Sequence, residues 1–250
     1  MTMEPYAPPP SDLEQDAAKA RRGLYVLFGF FVAFGLFNAV PDFPGMVAGL
    51  GKIIVSPDIL INDYTSIAGT GAAFINASMC LLAAILLLRL SRVNVSGPAI
   101  AAAFTVAGFA LFGKNVVNIW PGLLGSYLYS RAGRRPFGEN IIVALFGTAL
   151  APLSSEIAFG LGIPAPFNVV VSLGAGAFVG FVLAPVARHV LDFHRGYNLY
   201  NIGFTAGLIG TVVMSSLKAL EIKLAGGFHW ADTGPDRKST RLNSSHESPS

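Results

Sequence analysis

Apolar residues run along this chain in long unbroken blocks, neither alternating with polar residues nor confined to one face at helical spacing. Blocks without a polar face signal helices surrounded by apolar material on every side. A bilayer core of about 30 Å takes roughly 20 residues of helix. Seven blocks approach that length: Gly23–Val40, Thr65–Leu88, Gly97–Phe112, Val116–Tyr129, Ile141–Leu161, Phe167–Ala187 and Asn201–Leu217. The predicted fold is therefore all-α, a polytopic transmembrane helix bundle of about seven spans. The fourth block is short and holds Pro121, Gly122 and Gly125, which predicts a broken or re-entrant element. Pro41–Tyr64 is too long for a tight turn and carries the apolar runs Met46–Leu50 and Ile53–Val55. It either packs as an extracytoplasmic cap or dips back against other helices, because a bare loop cannot face lipid.

Composition agrees, at 53% hydrophobic against 12% charged residues. The net charge of +3 does not point to nucleic acid, because the basic residues sit in clusters between the apolar blocks. Lys19, Arg21 and Arg22, then Arg89 and Arg92, then Arg131, Arg134 and Arg135, then Arg188 and Arg195 fall on one side of a seven-span arrangement. Lys52 and, with the seventh span placed as above, Lys218 and Lys223 fall on the other, with Lys114 at a span boundary. Basic residues collect on the cytoplasmic side, so the N-terminus is predicted to be cytoplasmic in a cell (inner) membrane. Residues 1–22 form a polar cytoplasmic tail that lacks the short basic start of a signal peptide, and residues 23–228 form the transmembrane domain.

The C-terminal segment has a different origin. Asp236–His246, eleven residues, matches codon for codon one reading frame of a widely used sequencing adapter, and Glu247–Ser250 fits the index that follows it. Residues 236–250 are therefore expected to be an artefact. On this reading genuine sequence ends near Pro235, the short extramembrane end 229–235 closes it, and the gene continues into a longer protein.

Chemistry concentrates in three places. Lys114, Asn115 and Asn118 precede the Pro121–Gly122 pair inside apolar surroundings, and interrupted helices of this kind often line solute sites. The plainer reading is a snorkelling lysine, amides bonded to neighbouring helices, and Trp120, Tyr127 and Tyr129 as interfacial anchors. Glu156 is the acid deepest within an apolar block, where a carboxylate must be protonated, paired or wet. It is a proton- or cation-site candidate, or else a residue near a helix end. Asn198 and Asn201 sit beside a glycine-rich run whose Gly203 and Gly207 form a GxxxG pair, as do Gly176 and Gly180, and Gly45 and Gly49. Such pairs signal close helix packing. Asp63, before Thr65 and Ser66, suits a helix cap.

No cofactor or metal is expected: Cys80 stands alone, and His189, Asp192 and His194 make a poor ligand set. Phosphate-cradling, zinc-protease and serine-nucleophile motifs are lacking. A weak self-similarity aligns Ala33–Leu36 with Ala158–Leu161, and Ile67, Thr70, Met79 and Leu82 with Ile202, Thr205, Met214 and Leu217. It suggests an internal repeat.

Gly113–Tyr129, with Gly196–Asn201 downstream, resembles a prokaryotic membrane-protein family catalogued as domain of unknown function 1576. The resemblance covers roughly Gly23–Phe228 and implies a polytopic bundle without assigning catalytic residues. Three functions fit. The leading one is a small-solute or ion transporter, or a channel-like protein, with Lys114, Asn115, Asn118, Glu156, Asn198 and Asn201 along the pathway. The second is an intramembrane enzyme acting on lipid-linked substrates, with Arg131–Arg135 meeting anionic head groups. The third is a non-catalytic membrane scaffold. The expected partners are the lipid bilayer and an unknown small solute, and a homo-oligomer is compatible with the glycine pairs.

Overall fold

The computed structural model describes residues 10–57, 62–195 and 201–222. Within them the chain is helical, with a single isolated β-bridge joining Asp63 to Phe112. The helices are α1 (Pro10–Ala39), α2 (Phe43–Val55), α3 (Tyr64–Ala68), α4 (Thr70–Leu90), α5 (Gly97–Phe109), α6 (Ile119–Ala132), α7 (Ile141–Gly147), α8 (Ala151–Ser155), α9 (Phe167–His194) and α10 (Asn201–Ala219). A 3₁₀ turn joins α7 to α8 and a π-helical turn, Glu156–Gly160, follows, so 141–160 acts as one composite helix.

Among the described residues five segments are long and apolar enough to cross a membrane: Gln15–Ala39, Thr70–Leu90, Ile141–Gly160, Phe167–Phe193 and Asn201–Ala219. Large apolar side chains stay on their outer surfaces, Phe37 at 76% exposure and Phe178 at 66% among them. An apolar exterior of this extent is suited to lipid and not to water. The protein is an integral membrane protein.

α5 and α6 depart from the expected pattern. With 13 and 14 residues, each rises about 20 Å, short of a bilayer core of about 30 Å. α5 stops at Phe109, before the predicted Phe112, and residues 110–118 form an irregular connection largely buried inside the protein. The interruption therefore lies upstream of Pro121. That proline sits in the first turn of α6, where a missing N–H removes no intrahelical bond.

The centre is rich in alanine. Ala77 and Ala84 of α4, Ala99 and Ala102 of α5, and Ala144 of α7 are buried together with Leu88, Ile119 and Leu123. Small side chains let these helices approach closely. α6 and α9 approach more closely still: a Cβ on Gly180 would strike the Gly122 carbonyl, and one on Gly125 the Ala177 carbonyl. The Gly176–Gly180 pair is thus a packing seam. Gly49 plays the same part between α2 and Ala68 and Ala72, whereas Gly203 and Gly207 lie on the exposed side of α10.

Asp42 and Asp63 cap α2 and α3, accepting from Gly45 N at 2.8 Å and Thr65 N at 2.8 Å. The segment between α1 and α4 packs over the buried connection. Tyr64 N donates to Leu111 O at 3.2 Å, and Ile53 at the end of α2 is fully buried. At the other end of the bundle, Arg21, Arg22, Arg89 and Arg92 surround one groove, and Gly138 rests on Ser91.

The suggested repeat has no counterpart in this arrangement. α4 runs antiparallel to α1, as Gly35 against Ile75 and Leu24 beside Leu81 require. Its would-be equivalent α10 runs parallel to the composite helix, with Asn201 bonded to Ala187 and Gly210 beside Leu150.

Candidate functional site

Residues 110–118 create a problem that three carboxamides solve. A buried irregular segment has backbone groups that no helix satisfies, and each must find a partner. Gly113 turns the chain at φ +75°, a region glycine enters without strain. Asn76, on α4, donates to Ala110 O at 2.7 Å and Lys114 O at 2.9 Å, and accepts from Val116 N at 3.2 Å. Asn115 Oδ1 accepts from the N–H groups of Val117 and Asn118, while its amide donates to Ile53 O at 3.2 Å. Asn118 Oδ1 accepts from Asn115 N at 2.8 Å, and its Nδ2 donates to Gly113 O at 3.0 Å and Ser155 Oγ at 2.9 Å. The connection is tied to α2, α4 and α8 at once.

Lys114 lies in the middle of this framework and differs from its neighbours. Its side chain is fully buried, and its Nζ has neither a hydrogen-bond partner nor an ion pair among the described residues. The ammonium group sits 5.3 Å from the centre of the Phe109 ring, a cation–π contact. Cys80, also fully buried, lies one turn beyond Asn76 on the same face of α4. A buried amine without a counter-charge, when protonated, strongly attracts an anion, an electron-rich solute or a carboxylate that moves into reach.

Glu156 is 2% exposed and starts the π-helical turn. Its carboxylate folds back against the Cα of Gly160, in space that a β-carbon there would occupy. π turns recur at functional sites because the widened turn redirects side chains. Ser155, which accepts from Asn118, is the residue before Glu156, so the connection and the π turn meet at that hydrogen bond. A cavity of about 10 Å³ lies beside Ser154, Thr148 and Gly122, near the room one water needs.

The structure therefore brings together Lys114, Asn115, Asn118 and the segment carrying Glu156. Asn201 is elsewhere, capping the approach of α10 to α9 through Ala187 O at 3.0 Å. Asn198 and the rest of 196–200, like residues 223–250 with their adapter-like end, lie outside the described residues. Asn76 and Ser155 were not singled out from sequence. Asn76 carried a usable signal, since it is the one carboxamide in the apolar helix Thr70–Leu90. Ser155 carried none.

Compared with known families, residues 44–219 match the family described as Protein of unknown function (DUF1576). The match spans α2 to the end of α10 and so includes the buried connection and Glu156. No curated protein and no solved structure matches the chain.

Proposed function

The chain belongs to the DUF1576 family of proteins of unknown function, and on that premise we propose that it is a small-solute or ion transporter, or a channel-like protein. The observation that carries this reading is Lys114: a wholly buried amine without a partner among the described residues, at the interruption between two short helices of a membrane bundle. A charge kept there is expensive, and intramembrane ionisable groups generally mark ion or solute pathways. Interrupted helices expose backbone groups at membrane depth, where transporters place their sites.

In this reading Lys114 attracts the solute's negative end, and Glu156, across the Asn118–Ser155 bond, is the proton- or cation-linked group. The asparagines serve the site by holding its backbone. Asn198 and Asn201 remain pathway candidates of second rank. The clustering of Arg21, Arg22, Arg89 and Arg92 at one end favours a cytoplasmic N-terminus. A scaffold accounts for the asparagines equally well, since their amides are spent on backbone, but it leaves Lys114 without a reason.

The test uses the purified protein in liposomes, with stopped-flow swelling in a panel of small neutral solutes and salts and a pH-sensitive dye inside. Wild-type protein should pass at least one solute or ion, and Lys114→Met and Glu156→Gln should each abolish that flux while inserting normally. Flux equal to that of empty liposomes across the panel, or unchanged flux in both variants, would end the proposal.

A further inference from the structure

The end of the bundle opposite the buried connection carries a groove that the transport reading does not use. It lies between the start of α1 and the turn joining α4 to α5, with a volume of about 580 Å³. Arg21 and Arg22 come from α1, Arg89 and Arg92 from the end of α4 and its turn. None of these four guanidinium groups makes a hydrogen bond or ion pair within the described residues, whereas Arg135 pairs with Glu139 and Arg188 with Asn140. Among the described residues no acid lines this groove. Asp16 lines the adjoining space and is engaged by Lys19 at 3.3 Å.

Depth adds a second feature. Toward the bundle centre the charges give way to an apolar lining: Leu24 on α1 and Ile85 and Leu88 on α4, 2%, 6% and 2% exposed, close the floor, and the exposed Tyr25 ring of α1 stands beside them. The groove is therefore cationic at its mouth and apolar below, aligned with the helices that cross the membrane. Guanidinium groups bind phosphate oxygens in paired, planar contacts. A ligand matching both parts has a phosphate joined to hydrocarbon.

We propose that this groove binds an anionic phospholipid of the surrounding bilayer, its phosphate held by Arg21, Arg22, Arg89 and Arg92 and its upper acyl carbons lying against the exposed Tyr25 ring, above a floor closed by Leu24, Ile85 and Leu88. Basic pockets between membrane helices are suited to such head groups. The bound lipid bridges α1 to α4 and neutralises guanidinium groups that otherwise repel one another.

The experiment takes the full chain in a neutral detergent and adds phosphatidylglycerol, phosphatidylcholine or inorganic phosphate, reading lipid retention by native mass spectrometry and Tm by intrinsic fluorescence. Phosphatidylglycerol should be retained roughly tenfold over phosphatidylcholine, and it alone should raise Tm. R89Q/R92Q should weaken that preference and R21Q/R22Q/R89Q/R92Q should remove it, while R131Q/R134Q/R135Q, at the same end but outside the groove, should keep it. Equal retention of the two lipids by wild-type protein overturns the proposal without recourse to any variant. Undiminished preference in the quadruple variant overturns it too. Inorganic phosphate that stabilises as well and displaces phosphatidylglycerol assigns the groove to free phosphate instead of lipid.

Discussion

Two buried polar clusters tie the helices of this protein together, one near each end, and they are built on different terms. In the first, Ser126 Oγ donates to Gly180 O, Ser130 Oγ to Ser126 O, Asn140 to Ser130 Oγ at 2.8 Å, and Arg188 to Asn140 Oδ1 at 2.8 Å. Arg188 also lies over the Tyr129 ring. Each polar side chain in that series meets a partner, and its one charge reaches partial exposure. The second cluster, around residues 110–118, is as thoroughly bonded in its amides yet encloses Lys114, whose Nζ meets an aromatic face and, among the described residues, no acceptor. Satisfied networks rigidify and specify a fold. A single unsatisfied charge inside an otherwise complete network is a different kind of feature, because replacing it with an apolar residue would be neutral or stabilising. Stability does not explain its presence: the carboxamides of both clusters hold the fold, and Lys114 is the member of the second that the proposed pathway uses.

The comparison breaks if the amides around Lys114 prove dispensable. Asn76→Ala is expected to have the largest effect on stability, because it strands Ala110 O, Lys114 O and Val116 N in the interior. At 1–3 kcal/mol for each orphaned group the loss is about 3 kcal/mol or more, and the protein should elute as aggregate in size-exclusion chromatography or unfold at a much lower temperature. A variant with wild-type Tm would mean that the connection does not depend on α4.

Asn140→Ala tests the other cluster. It leaves Arg188 without its acceptor and frees Ser130 from one donor. Arg188 can turn toward solvent, so the expected cost is about 2 kcal/mol, a visible fall in Tm with any solute flux retained. Loss of flux at unchanged Tm would move the functional assignment to this end. A smaller effect is expected for Ser155→Ala, about 1 kcal/mol, since Asn118 keeps its bond to Gly113 O. If that serine matters beyond its hydrogen bond, by fixing the position of the Glu156 turn, flux should fall more than Tm does.

How far these clusters could be read from sequence depends on what announces itself in one dimension. The long helices are legible because about 20 apolar residues in succession have few alternatives. α5 and α6 are not bounded that way: Leu111, Phe112, Val116 and Val117 continue the apolar pattern through the very residues where the helix stops. Pro121 and Gly122 have the composition of a break, yet a proline in a first turn is compatible with helix, and a β-carbon at Gly122 would meet nothing, the close approach to its carbonyl being made by Gly180 of α9. Lys114, Asn115, Asn118 and Glu156 stood out as polar residues in apolar surroundings. Their division of labour, with the asparagines holding backbone and the lysine left over, depends on Asn76 and Ile53, which are distant in sequence and only the fold brings them near.

The sharpest separation of the two clusters comes from the change expected to alter stability least. Lys114→Met keeps the length and flexibility of the side chain and its contact with the Phe109 face, and removes the charge. An apolar side chain in place of a buried, unpartnered ammonium group relieves the desolvation cost while every bond of the carboxamide framework stays in place. Tm should therefore remain within the equivalent of about 1 kcal/mol of wild type or rise above it, even though the residue is among the most buried in the protein. Solute or ion flux should be lost. A marked fall in Tm would show that the ammonium group has a structural partner in the working protein, and Lys114 would then belong with Asn140 and Arg188 among the groups that hold helices together.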